Sequence, residues 1–110
     1  MISQLRDGAH LEQLLASPNP VWIFKHSSTC PISTAAHEEV SAYLSAHAAE
    51  VAAMVVVQSD RPLSNLIAQR LARVHQSPQL FLMAAGAIAW SASHWSITAT
   101  AMASERARLG

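Results

Sequence analysis

One cysteine, Cys30, stands in the segment His26-Ser27-Ser28-Thr29-Cys30-Pro31-Ile32-Ser33, with a proline directly after it. If a helix begins at Pro31, the cysteine lies at its mouth, where unpaired amides and the positive end of the helix dipole favour a thiolate over a thiol. A thiolate is the nucleophile that attacks a disulfide sulfur, so this segment predicts thiol–disulfide exchange. Pro31 suits the first helical position because it has no amide to satisfy there, and its fixed backbone angle holds the preceding residue in place. Thr29 and the two serines can offer hydroxyl donors to the anion. Ser33 stands three residues on, where a dithiol exchanger would carry a second cysteine. A hydroxyl cannot close a disulfide, so a mixed disulfide on Cys30 must be resolved by an external thiol.

The second informative proline is Pro78, in Ser77-Pro78-Gln79 ahead of a strand-like run. A cis Ser77–Pro78 bond would expose the backbone of Ser77 for pairing with an extended peptide or a small thiol. Blander readings compete with both prolines' segments. A free cysteine is commonly just a small buried hydrophobe, and a proline often does no more than start a strand. The position of Cys30 at a strand-to-helix junction before proline favours chemistry over packing. Six histidines suggest metal, yet no C-x-x-C or H-x-x-x-H pair accompanies His26 and Cys30, so no metal is expected. A C-x5-R phosphatase or reductase loop fails because Ala36 occupies the arginine position. Reduction of peroxides at Cys30 would call on the same activated thiolate.

The bulk of the chain narrows the partners. Seven basic and seven acidic residues cancel, and the arginines are scattered, so the footprint of a nucleic-acid or anionic-membrane binder is missing. Met1 to Gly8 does not read as a signal peptide, and Leu80 to Trp90, the longest apolar stretch, is too short to span a bilayer. A cytoplasmic location is expected. With 110 residues, 51% of them apolar and one cysteine, the chain reads as a single domain, 1–110, held by its core rather than by disulfides.

The elements that must position Cys30 follow from periodicity. Leu11, Leu14 and Leu15 predict a short first helix ended by Pro18 and Pro20. Val21 to Phe24 reads as a buried strand. Ala36, Val40, Tyr43 and Leu44 share one face of a helix running from Pro31 to about Ala49. Val51 to Val57 reads as a central strand, and Leu63, Leu66, Ile67, Leu71 and Val74 predict a second crossover helix from Pro62 to about Val74. Gln79 to Met83 and Ala87 to Ser91 form a hairpin around Gly86, and Ser96 caps a last helix with Ile97, Ala101 and Met102 inward. Strands alternating with helices, closed by a hairpin, give an α/β fold: a thioredoxin-like three-layer sandwich with a mixed four-stranded sheet and an N-terminal helix.

Lys25-His26-Ser27-Ser28-Thr29-Cys30-Pro31-Ile32-Ser33, Arg61-Pro62-Leu63-Ser64, Ser77-Pro78-Gln79 and Ser93-His94-Trp95-Ser96-Ile97-Thr98 together resemble the YtxJ-like monothiol bacilliredoxins, from about Leu11 to Met102. The resemblance implies a thioredoxin fold and a part in bacillithiol-dependent redox balance, in which bacillithiol is removed from mixed disulfides on proteins. Cys30 matches the family's attacking cysteine and Pro78 the cis-proline. No tightly bound cofactor is expected; bacillithiol is the co-substrate, and S-bacillithiolated proteins and a low-molecular-weight thiol are the partners. By position, His94 and Trp95 fall where similar glutaredoxin-type folds hold the polar end of a small thiol, with His26 nearby. Ser96, Ile97 and Thr98 could present helix-start amides to the carboxylates of bacillithiol. The basic residue that glutaredoxins carry close before the cysteine is replaced here by Ser27, with Lys25 or His26 as stand-ins. The competing functional class is a thioredoxin-like stress adaptor that binds partners at the Pro78 edge without turnover.

Overall fold

The computed structural model describes residues 2–110. Ten elements follow in order: β1 (Ile2–Gln4), α1 (Gly8–Leu15), β2 (Val21–His26), α2 (Pro31–Ala46), β3 (Val51–Val56), α3 (Arg61–Leu71), β4 (Gln79–Ala84), β5 (Ala87–Ser93), a single 3-10 turn (His94–Ser96) and α4 (Ala99–Ala107). The strands make one mixed sheet in the order β1-β3-β2-β4-β5. β3 pairs in parallel with β1 and β2, whereas β4 runs antiparallel to β2 and β5. The sheet therefore has five strands rather than the four expected. The extra one, β1, is short and adds to the outer edge of β3 through Ile2, Ser3 and Gln4.

Side-chain alternation along the central strands sorts the core into two layers. Val21 and Ile23 of β2, Ala53 and Val55 of β3, and Phe81 and Met83 of β4 pack against Leu11 and Leu15 of α1 and Leu63, Ile67 and Leu71 of α3. Trp22, Phe24, Ala52, Leu80 and Leu82 point the other way, against Ala36, Val40, Tyr43 and Leu44 of α2 and Met102 of α4. Both faces of β2 are thus covered by helices, which explains its near-continuous apolar run.

Helix ends obey local rules, with departures from the periodicity: α2 already ends at Ala46, with His47 as its C-cap, rather than near Ala49. Asp7 and Asp60 cap α1 and α3 by accepting from the amides of His10 and Leu63. α3 stops at Leu71, because Ala72 takes up left-handed backbone (φ 54°), so Val74 lies outside the helix and is exposed. The cap of α4 is Thr98, whose Oγ1 accepts from Ala101 N at 3.1 Å. Ser96, the expected cap, lies instead in the 3-10 turn.

A half-buried carboxylate ties the α2 and α4 layer to the sheet. Glu50 accepts from Trp22 Nε1 at 2.8 Å and from Tyr43 Oη at 2.8–2.9 Å, and Arg106 Nε lies 3.8 Å away. Burial, with the Glu50 carboxylate beside it, raises the Tyr43 pKa and keeps that hydroxyl a donor. Glu50→Gln keeps the shape but turns an amide NH2 toward one of these donors. It is expected to cost about 1–2 kcal/mol, visible as a lower thermal midpoint; an unchanged midpoint would show that the network adds nothing.

Candidate functional site

β2 delivers the chain to the end of the sheet, and α2 carries it away from Cys30. Cys30 is the N-cap residue of α2 in extended backbone (φ −104°, ψ 122°), with Pro31 in the first turn as its ring geometry requires. The thiol is partly exposed, and its sulfur accepts no capping hydrogen bond from the first-turn amides. Facing partners can therefore reach a sulfur that the helix does not already occupy.

The loop before Cys30 is fastened from two sides. From below, Ser33, which is wholly buried, accepts the Ser27 amide on Oγ at 2.7 Å and lies 3.0 Å from His26 Nδ1. Its hydroxyl thus serves the loop rather than the position of a second thiol. From the side, Gln58, in the turn after β3, accepts the Ser28 amide on Oε1 (3.1 Å) and donates through Nε2 to Ser27 Oγ (2.6 Å) and Thr29 Oγ1 (3.1 Å). Gln58 carried no sequence signal, because an isolated glutamine beyond a strand has no periodicity to betray it.

His26 shares the α2 face of β2 with Phe24, its ring 5.0 Å from that of His37. Burial, and secondarily the neighbouring His37, hold the His26 pKa below the ordinary value of 6.5, outweighing the hydrogen bond at Ser33. A depressed folded-state pKa means that the unfolded chain binds the proton first as pH falls through 6.5. Stability present above that pH is then lost below it. Urea midpoints at pH 7.5 and 5.5 are expected to show the decline, and His26→Asn to lessen it, with His75, whose pKa is also lowered by burial, supplying a remainder; an undiminished decline in the variant would place its cause elsewhere.

Lys25 does not stand in for a basic residue beside the cysteine. Alternation places it with Val21 and Ile23 on the α1 and α3 face, fully buried. Its Nζ has no hydrogen-bond partner, and burial lowers its pKa to about 8.

The Ser77–Pro78 peptide is cis. Pro78 is buried, its carbonyl accepts the His94 amide at 3.1 Å, and the Ser77 hydroxyl is buried without a partner. His94, in left-handed backbone (φ 54°), is thereby bound to the proline segment. It lines a cavity of about 290 Å³ with Trp95, Thr98, Ala35, Glu38 and Glu39. The Trp95 side chain is 69% exposed. Ser96 is exposed and does not line this cavity. Of the three amides expected to meet a carboxylate there, that of Ile97 is engaged, donating to His94 O at 3.3 Å, and the amide that follows them, Ala99 N, donates to Glu39 Oε1 at 2.9 Å. The structure thus brings His94, Trp95 and Thr98 together, but with a resident carboxylate where an incoming one was expected.

An accessible cysteine at a helix start after the first core strand, a cis-proline ahead of β4 and a serine in place of a second cysteine form one pattern. The sequence matches a protein family over residues 3–102, described as monothiol bacilliredoxin BrxC. The chain belongs to the monothiol bacilliredoxin BrxC family. A solved structure described as an oxidoreductase with a thioredoxin fold is 30% identical, with a TM-score of 0.88, covering 94% of this chain and 92% of the other. Thioredoxin from Fasciola hepatica superposes at a TM-score of 0.77 with 16% identity, over 96% and 97% of the two chains. Thioredoxin from Trypanosoma brucei brucei does so at 0.81 with 8% identity, over 99% and 90%. These last two likenesses establish the thioredoxin fold alone. The family and the first neighbour support a thiol redox role, that of a thiol–disulfide oxidoreductase.

Among the described residues, no helix is long and apolar enough to cross a membrane. No three His, Cys, Asp or Glu side chains among them converge on a possible metal site.

Proposed function

We propose that this bacilliredoxin removes bacillithiol from mixed disulfides on other proteins, in the cytoplasm, with Cys30 as the attacking group and bacillithiol as co-substrate. The Cys30 thiolate attacks the bacillithiol sulfur of the substrate. A Cys30–bacillithiol disulfide forms, the bond to the substrate protein breaks, and the substrate's sulfur leaves as a thiolate that takes up a proton. A second, low-molecular-weight thiol then attacks the mixed disulfide and releases Cys30.

The observation that carries this reading is the lone, partly exposed Cys30 at the start of α2, with Ser33 three residues on and buried under the loop. Without an internal partner, the adduct on Cys30 persists until an external thiol arrives. Thr29, Pro31, Ser33, Ser77 and Pro78 position that sulfur and its approach. The His94 and Trp95 cavity, with Thr98, serves the bound thiol through its apolar and hydroxyl surface. The carboxylates of bacillithiol lie outside it, since Glu38 and Glu39 would repel them.

The test is to mix reduced protein with a bacillithiol-modified protein and, separately, a glutathione-modified one, following the mass of the intact chain. Rapid transfer from the bacillithiol substrate alone supports the proposal. Equal transfer from both keeps the chemistry and removes the specificity. No transfer from either leaves a thioredoxin-like adaptor that binds at the Pro78 edge.

A further inference from the structure

Gln58 hydrogen-bonds three successive residues, Ser27, Ser28 and Thr29, of the loop that ends at Cys30. A backbone amide can only donate, so the Ser28 N–H fixes Oε1 of Gln58 on its side, and the NH2 must face the other way. Its two hydrogens are then directed at Ser27 Oγ and Thr29 Oγ1. Both hydroxyls act as acceptors toward Gln58, which leaves their own hydrogens free for another partner. Ser27 is buried in the loop floor, whereas Thr29 is exposed and directly precedes Cys30.

We propose that Gln58 is a positioning residue for the exchange reaction: it turns the Thr29 hydroxyl into a hydrogen-bond donor for the Cys30 sulfur when that sulfur carries negative charge. The charge is present twice in the cycle, on the attacking thiolate and again on the sulfur released when the external thiol resolves the mixed disulfide. A donor held ready for it favours both. Cys30 makes no side-chain capping bond, so no helix amide already occupies the sulfur. Gln58 makes no contact with the reacting atoms and acts through Thr29. The proposal rests on Cys30 being the attacking group.

The experiment compares Gln58→Met, Thr29→Ala and the double variant by the rate at which iodoacetamide alkylates Cys30 across the pH range, alongside thiol transfer from a mixed-disulfide protein. Gln58→Met is expected to slow alkylation at pH 7 about fivefold, the scale of one partly solvated hydrogen bond to a charged group. The high-pH plateau should not change, because there the thiolate forms without help. Thr29→Ala should do the same, and the double variant should be no slower than either single one. A lowered plateau, or losses that multiply in the double variant, would mean that Gln58 merely stiffens the loop and would overturn the proposal. The alkylation readout needs no disulfide substrate. If alkylation follows the expected pattern while transfer fails, the assignment of the reaction falls and the role of Gln58 stands; normal transfer with no Gln58 effect gives the reverse.

Discussion

Cys30→Ser is expected to abolish transfer of the small thiol from any mixed-disulfide substrate, while the protein stays folded and melts no earlier. The chain has one cysteine, so no second sulfur can take over the attack. A serine hydroxyl does not enter disulfide exchange. Stability should be preserved for a local reason. Residue 30 is the N-cap of α2 and makes no side-chain capping bond as cysteine, whereas serine is among the favoured N-cap residues. The variant can gain up to about 1 kcal/mol from that cap. Loss of activity can then not be put down to unfolding. Intact mass after incubation with substrate should show no adduct, against a one-to-one adduct on the wild type, and thermal melts should coincide or favour the variant. An adduct on the serine variant would move the chemistry off residue 30. Undiminished binding of a partner with no transfer by the wild type would favour the adaptor.

How far the fold could be read from the residues depended on whether each element carries its own pattern. β2 and β3 are strings of apolar residues, and the four helices each show an apolar face or a proline-marked start, so their order was plain. β1 was not, because Ile2-Ser3-Gln4 has one apolar residue and exists as a strand only by pairing with Ala52 to Met54. The end of α3 was overrun for the opposite reason: Val74 continues the helical spacing, but the backbone has already reversed at Ala72. Of the site, what lies next to the cysteine or is a proline was legible. Cys30, Pro31 and Pro78 announce themselves by type and neighbour. Gln58 and Glu39 do not, because each acts on a partner 29 to 31 or 60 residues away through an ordinary polar side chain. Ser33 was legible as the missing second thiol, yet its actual bonds, to Ser27 and His26, depend on how the loop folds back.

Lys25→Met is expected to stabilise the protein by about 2–3 kcal/mol at pH 7 and to remove a rise in stability between pH 8 and pH 10.5. Lys25 lies in the middle of the sheet with no exposed surface, its ammonium without a hydrogen-bond partner. Burial lowers its pKa from 10.5 to about 8, a displacement worth about 3 kcal/mol. The sign follows from proton counting. Above pH 10.5 the amine is neutral in both folded and unfolded chains, and no penalty applies. As pH falls from 10.5 to 8 the unfolded chain takes up the proton first, so stability declines, and below 8 the folded protein carries the full cost. Methionine matches the length of the lysine stem and brings no charge, so the packing of β2 against α1 and α3 is kept. At this chain length the gain corresponds to a rise of roughly 10 °C in thermal midpoint. His75 feels the same cation, since burial first and then Lys25 and Arg61 lower its pKa, and its own titration should relax upward in the variant. Urea midpoints at pH 7 and pH 10 would decide the matter. A wild type equally stable at both, or a variant weaker than wild type at pH 7, would show that the ammonium is compensated within the fold.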